Sequence, residues 1–259
     1  MLAQNGGSGP TMTDLVLRAD RGGVAHLTLN RPDKLNALNV ALFDALEAHV
    51  TDIEKSPVGA VVIRGAGRCF SAGHDLGDIA TGERLPRPNY QSHVIERLAD
   101  LPLPVISAVH GHCYTGALEL ALAGDIILAA ESARFGDTHA RWALTPVWGL
   151  SQRLPRRVGT YKAREMMFTC RTYLGPEAAA MGLANMCVPD AEFDAAIDVL
   201  TAEILANSSF SHAANKRLLT ATDGLPQSAG LAHEIYHGEG RGADMEARIA
   251  AFTSKAKAR

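Results

Sequence analysis

The sequence predicts an α/β fold with a helical C-terminal part, on three observations. Strand-like and helix-like segments alternate through the first half, which argues for parallel pairings. AVVIRG (60–65), LPVISAVHG (103–111) and DIILAA (125–130) are short apolar runs of the buried-strand kind. Beyond about residue 150 the pattern turns helical and stays so.

Taken in order, LVLR (15–18) and GVAHLTLN (23–30) are rich in aliphatic and β-branched residues and are flanked by the turn formers RGG and NRPD. VALFDALEAHVTDIEK (40–55) sets Leu42, Leu46, His49, Val50 and Ile53 at helical spacing. After AVVIRG comes the glycine-flanked turn GAGRCFSAGHDL (65–76), and VHGHCYTGALEL (109–120) reads as strand, turn and helix. The second half strings together KAREMMFT, PEAAAMGLA, EFDAAIDVLTAEILANS, HAANKRLLTAT, SAGLAHEIYH and DMEARIAAFTSKAKAR, with one strand candidate at NMCV (185–188). No Pro- or Ser-rich linker divides the halves, so the helices are expected to pack on the core or on a neighbouring subunit.

Composition narrows the classes. The chain has 259 residues, 47% of them hydrophobic, and a net charge of -3, which offers no basic surface for nucleic acid and no polybasic membrane patch. No apolar run reaches the ~18 residues of a membrane span. The start, MLAQNGGSGPTM, has neither a basic nor an apolar signal region, and residues 1–13 read as a flexible leader. Cys69, Cys113, Cys170 and Cys187 are scattered without a CxxC pair, which fits a reducing cytoplasm better than a disulfide frame or a zinc site.

One acid stands out. From Gly111 to Gly124, Glu119 is the sole acidic or basic side chain apart from histidine, three residues after Gly116 in an apolar run. A helix-start amide at Gly116 suits a developing oxyanion, and Glu119 lies about one turn on, over the same face. The plainer reading makes Glu119 a capping acid, but Gly116 has no side chain to complete a capping box. A buried acid without a partner has a raised pKa and suits proton transfer. In the first loop, small residues Ser71, Ala72 and Gly73 let a ligand approach the backbone, and the His74 amide follows them. The plainer reading there is a strand-to-helix turn with Asp75 as cap. Two such amides and a carboxylate suit chemistry at a thioester, where charge builds on oxygen while a proton moves on carbon.

LTLNRPDKLNALN (27–39), GAGRCFSAGHDL, HGHCYTGALELALAGD (110–125) and LSQRLPRRVG (150–159) resemble, in order, successive motifs of the crotonase (enoyl-CoA hydratase/isomerase) superfamily. The resemblance runs from about residue 14 to the C-terminus. It implies a crotonase-like α/β spiral of ββα units over 14–205, a helical C-terminal trimerisation region over 206–259, and binding of an acyl-CoA thioester. CoA then belongs to the substrate, with no other cofactor and no metal. By the same resemblance the His74 and Gly116 amides form the oxyanion hole, and Glu119 matches one of two hydratase glutamates. Lys34, Ala72, Asp75 and Leu76 fall at substrate- or CoA-binding positions, and Phe252 and Lys255 at positions that reach the CoA of an adjacent subunit. Both Lys34 and the terminal helix also read as ordinary solvated surface.

The second glutamate of the pattern is replaced. In FGDTHARWALTPVWGLSQRL (135–154) its place is taken by His139. The imidazole serves as proton donor, or Glu119 works alone, or His139 is a structural partner of Asp137 or Arg141. SAGHDL is similar to a motif of family decarboxylases acting on malonyl-type CoA thioesters, yet the His74 side chain is expected to face solvent or CoA. The expected activity is hydration of a 2-enoyl-CoA in fatty or related acyl-CoA metabolism. Double-bond isomerisation, decarboxylation and non-catalytic acyl-CoA binding are the alternatives. Residues 77–92, Trp142 and Trp148 are expected to shape the acyl pocket, and assembly as a trimer or a dimer of trimers is expected. HEIYH (233–237) matches the HExxH zinc pattern, but Ala243 stands where the extended form needs its third histidine.

Overall fold

A computed structural model describes residues 15–257, and the leader expected over 1–13 lies outside them. β1 (Val16–Arg21) and β2 (Val24–Leu29) form an antiparallel hairpin with Arg21 opposite Val24. The two-residue turn puts Gly22 and Gly23 at φ +57° and +84°, left-handed values that glycine adopts without a Cβ penalty. From β2 the chain crosses through α1 (Val40–Ile53), whose Asn39 side chain caps the Leu42 amide, into β3 (Ala60–Gly65), parallel to β2. α2 (Leu76–Thr81) and α3 (Tyr90–Ala99) then lead to β4 (Val105–Val109), parallel to β3.

β5 (His112–Tyr114) and α4 (Gly116–Ala121) precede β6 (Ile126–Ala130), parallel to β4, and β7 (Arg134–Gly136) runs parallel to β5. α5 (Leu150–Val158), α6 (Thr160–Thr169), β8 (Tyr173–Leu174), α7 (Gly175–Ala180), β9 (Met186–Val188) and α8 (Phe193–Leu205) follow. α9 (Ser209–Thr222), α10 (Gln227–His237) and α11 (Met245–Lys257) end the described chain. The main sheet has the order β1-β2-β3-β4-β6-β9, and β5-β7-β8 make a second, small one.

The central strands are apolar on both faces because both are covered. Val24, Val62, Ile106 and Leu128 meet Phe193, Ile197 and Leu200 of α8. Leu27, Ile63, Val109 and Ile127 face the larger cluster with Phe43, Leu46, Leu118 and Trp148. Every long element expected from periodicity is present, and the NMCV strand joins the sheet edge as β9. The small sheet was not expected, because strands of two or three residues carry no readable alternation. It matters for the site: β5 and β7 hold the turns that carry Gly116 and His139.

The last helices are left open. α9 buries only Ala214, and α10 buries nothing, while Leu219, Ile235, Tyr236 and Phe252 stand exposed. Among the described residues no helix is long and apolar enough to cross a membrane. The four cysteines are free thiols.

Candidate active site

The first loop is threaded beside residues 31–38. Leu38 donates to the Gly73 carbonyl at 2.8 Å and Asp75 donates to the Leu38 carbonyl at 2.9 Å, a one-residue parallel bridge around His74. Such a bridge uses the groups on either side of its central residue and turns that residue's own amide the other way. The His74 N–H therefore makes no hydrogen bond to protein among the described residues. Gly73 has φ +106°, and a Cβ there would sit 2.6 Å from the Tyr114 carbonyl, so only glycine lets the two loops meet.

The second loop enters α4 through Thr115, at φ 53° and ψ -111°. α4 is only six residues long, so what it offers is the Gly116 amide itself rather than a long helix dipole. A Cβ built on Gly116 would lie 3.3 Å from the His74 nitrogen, so the two open amides border one small space.

Glu119 faces that space from one turn on, 1% exposed. Its Oε1 accepts from the Trp148 amide at 2.9 Å and the Leu150 amide at 3.1 Å. Its Oε2 lies 3.8 Å from His139 Nε2, while His139 Nδ1 is 2.6 Å from Asp137 Oδ1. An ionised carboxylate only accepts, so Asp137 holds the proton on Nδ1 and leaves Nε2 toward Glu119. Burial pushes the Glu119 carboxyl above its ordinary range, opposed by the two amides and by positive charge on His139. The sequence gives Glu119 no partner. The structure corrects this with two main-chain donors, which carry no residue signature.

The His74 side chain reaches the cavity half-buried: its ring packs on Trp148 with centroids 4.6 Å apart, and Nε2 lies 2.8 Å from Glu83 Oε2. That contact is an ion-pair distance without hydrogen-bond alignment, since Nε2 has no directed partner. Gln91 donates to the same Glu83 oxygen at 3.0 Å. The Trp148 contact is tilted, at 40° between the ring planes, and it covers one face of a ring whose backbone is already pinned.

These groups line one cavity of about 820 Å³, together with Ala72, Leu76, Trp142 and Trp148. Ile79, Glu83 and Leu85 supply its wall from the 77–92 segment, as expected. Asp75 is turned elsewhere: it caps α2 at Gly77 and pairs with Arg31 at 3.1 Å. Lys34 ends an exposed turn, and Phe252 is 76% exposed on α11, both off the cavity wall. The Lys255 side chain lies outside the described residues. His233 and His237 meet at 4.8 Å with their rings tilted, and among the described residues no three His, Cys, Asp or Glu side chains cluster as metal ligands would. Glu83 was missed as a named residue, although it stands in the segment expected to shape the pocket.

Two open amides converging beside a buried carboxylate and an imidazole define a class of site: it holds charge on a carbonyl oxygen while a proton moves next to it. On a sheet built from ββα units, that is the crotonase class of enzymes. A family profile described as enoyl-CoA hydratase/isomerase matches residues 19–258. A Rhodobacter capsulatus protein named as a probable enoyl-CoA hydratase is 36% identical over 90% of this chain and 92% of its own. The 1,2-epoxyphenylacetyl-CoA isomerase of Escherichia coli is 29% identical over 94% and 97%. An enoyl-CoA hydratase structure from Bacillus anthracis superposes with a TM-score of 0.85 at 30% identity, covering 93% and 96%. A Thermobifida fusca relative solved with acetoacetyl-CoA gives 0.78 at 28%, covering 92% and 96%. The chain belongs to the enoyl-CoA hydratase/isomerase family and is an enzyme of that family.

Proposed function

We propose that the protein adds water across the double bond of a 2-enoyl-CoA thioester, in fatty or related acyl-CoA metabolism. The observation that carries this is the buried Glu119–His139 contact of 3.8 Å beside two amides that have no protein partner among the described residues. The His74 and Gly116 amides donate to the thioester oxygen and stabilise the enolate. Glu119 takes a proton from the attacking water as its oxygen bonds to the β-carbon. Protonated His139 gives a proton to the α-carbon, and Asp137 stabilises the imidazolium beforehand. Proton transfer from Glu119 to Nε2 then resets the pair. CoA enters as part of the substrate, as in the acetoacetyl-CoA complex of the Thermobifida relative. Nothing in this chemistry calls for another cofactor or a metal, and a cytoplasmic setting suits four free thiols.

Hydration of crotonyl-CoA, followed as loss of enoyl-thioester absorbance, tests the reading. His139→Ala is expected to lower kcat about 10²–10³-fold with little change in KM, and Asp137→Asn about tenfold or more. Full turnover by His139→Ala would leave Glu119 acting alone. Isomerisation is the second reading, favoured by the isomerase among the relatives. The same two groups would then move a proton between carbons without water. Decarboxylation is disfavoured, because Glu83 already occupies the imidazole edge of His74 that a substrate carboxylate would need. A mere binder is disfavoured by the cost of burying Glu119 where no proton moves.

Self-association fits the open C-terminal helices, whose exposed Leu219, Ile235, Tyr236 and Phe252 suit a subunit contact. Light scattering is expected to give three or six times the chain mass of 27.5 kDa. In the same assembly Lys34, Phe252 and Lys255 would meet the CoA end of the ligand. A monomer at micromolar concentration would remove that arrangement.

A further inference from the structure

We infer that Thr115 and Thr138 form a positioning pair that aims the Gly116 amide into the cavity and ties it to the loop of His139. The inference rests on the reading of that amide as an oxyanion donor.

Thr115 stands apart from four other non-glycine residues at positive φ. Leu35, Asn89, Ala143 and Cys170 have ψ between 31° and 35°, the ordinary left-handed well. Thr115 has φ 53° and ψ -111°, the first central position of a type II′ turn, which belongs to glycine. For a β-branched residue this is a strained conformation, and it persists only where neighbours over-determine it. Here they do. The Thr115 amide donates to the Gly136 carbonyl at 2.9 Å, and its carbonyl accepts from the Glu119 amide at 3.0 Å. Its hydroxyl accepts from the Thr138 amide at 3.1 Å and lies 2.6 Å from the Thr138 hydroxyl.

The ψ of Thr115 sets the plane of the Thr115–Gly116 peptide, and so the direction of the Gly116 N–H. Relaxation to a common ψ would swing that plane, withdraw the donor and turn the Thr115 carbonyl toward a substrate oxygen it repels. Thr138 directly precedes His139, which opens the 3-10 turn His139–Trp142. One pair of hydroxyls therefore sets the oxyanion donor and the imidazole relative to each other. Neither hydroxyl needs to touch the reacting atoms.

The test uses dimethylaminocinnamoyl-CoA, whose absorption moves to the red as its carbonyl is polarised, beside crotonyl-CoA kinetics. Thr115→Val and Thr138→Val are each expected to diminish the red shift and to lower kcat about 10–100-fold, with Kd for the probe nearly unchanged. The double variant is expected to be no worse than the worse single one, because both remove one linkage. Thr115→Ser restores the shift. Should Thr115→Val fold poorly, Thr138→Val and the serine variant still read the pair. A full red shift and full kcat in Thr138→Val overturn the inference while leaving the oxyanion hole standing. Probe bound to wild type without any red shift overturns the hole, and the pair's role with it.

Discussion

Glu119→Gln is expected to lower kcat for hydration by about 10³-fold while the thioester still binds, since the amide keeps the shape but cannot take a proton. Its oxygen can still accept from Trp148 and Leu150, which hold the carboxylate at 2.9 and 3.1 Å. The acid limb of the wild-type pH profile is expected above the range of an exposed carboxylate, because burial raises Glu119 and only its ionised form accepts the proton from water. Stability moves the other way. A carboxyl raised in the folded state contributes stability that is full below its unfolded value near 4.5 and is lost as pH climbs through the folded value. Glu119→Gln escapes that loss, so its Tm should gain on wild type as pH rises through this window. A Tm difference that is flat with pH would mean the carboxyl is not raised, and near-normal turnover would remove Glu119 from the chemistry.

Gly116→Ala is the second large effect. The new Cβ would lie 2.5 Å from Cζ3 and 3.0 Å from Cε3 of Trp148. That indole cannot yield: it is 3% exposed, edge-on to Phe43 at 5.1 Å and in tilted contact with His74 at 4.6 Å. The start of α4 must shift instead, and the Gly116 donor shifts with it. Loss of one oxyanion donor is worth about 10²–10³ in kcat, and overpacking of this kind costs about 1–3 kcal/mol. Kinetics and urea denaturation on the same preparation check both. Wild-type turnover in a stably folded Gly116→Ala would show that this amide is not the donor.

The parts of the site that were legible in the sequence are those with a local signature. Gly73 and Gly116 are glycines because a Cβ at either would strike a neighbour at 2.6 or 2.5 Å. Glu119 was conspicuous as a carboxylate in an apolar run, and His139 as an imidazole where the family pattern has an acid. Asp137, two residues before it, was already in view as a partner.

What remained hidden depends on distance along the chain. The amides that hold Glu119 come from 29 and 31 residues downstream, and a main-chain N–H has no residue type by which to find it. Glu83 meets His74 only because α2 turns the segment after it over the cavity, and Thr115 meets Thr138 only because β5 pairs with β7.

By itself the sequence determined the alternation of elements, the glycines at the close approaches, and which groups able to move a proton are present. Only the tertiary structure decided that Asp137, His139 and Glu119 form one line and that the His74 ring turns inward onto Trp148. The physical reason is that periodicity and turn chemistry act between near neighbours in the chain. Hydrogen bonds and packing act between neighbours in space, and the fold alone settles which those are.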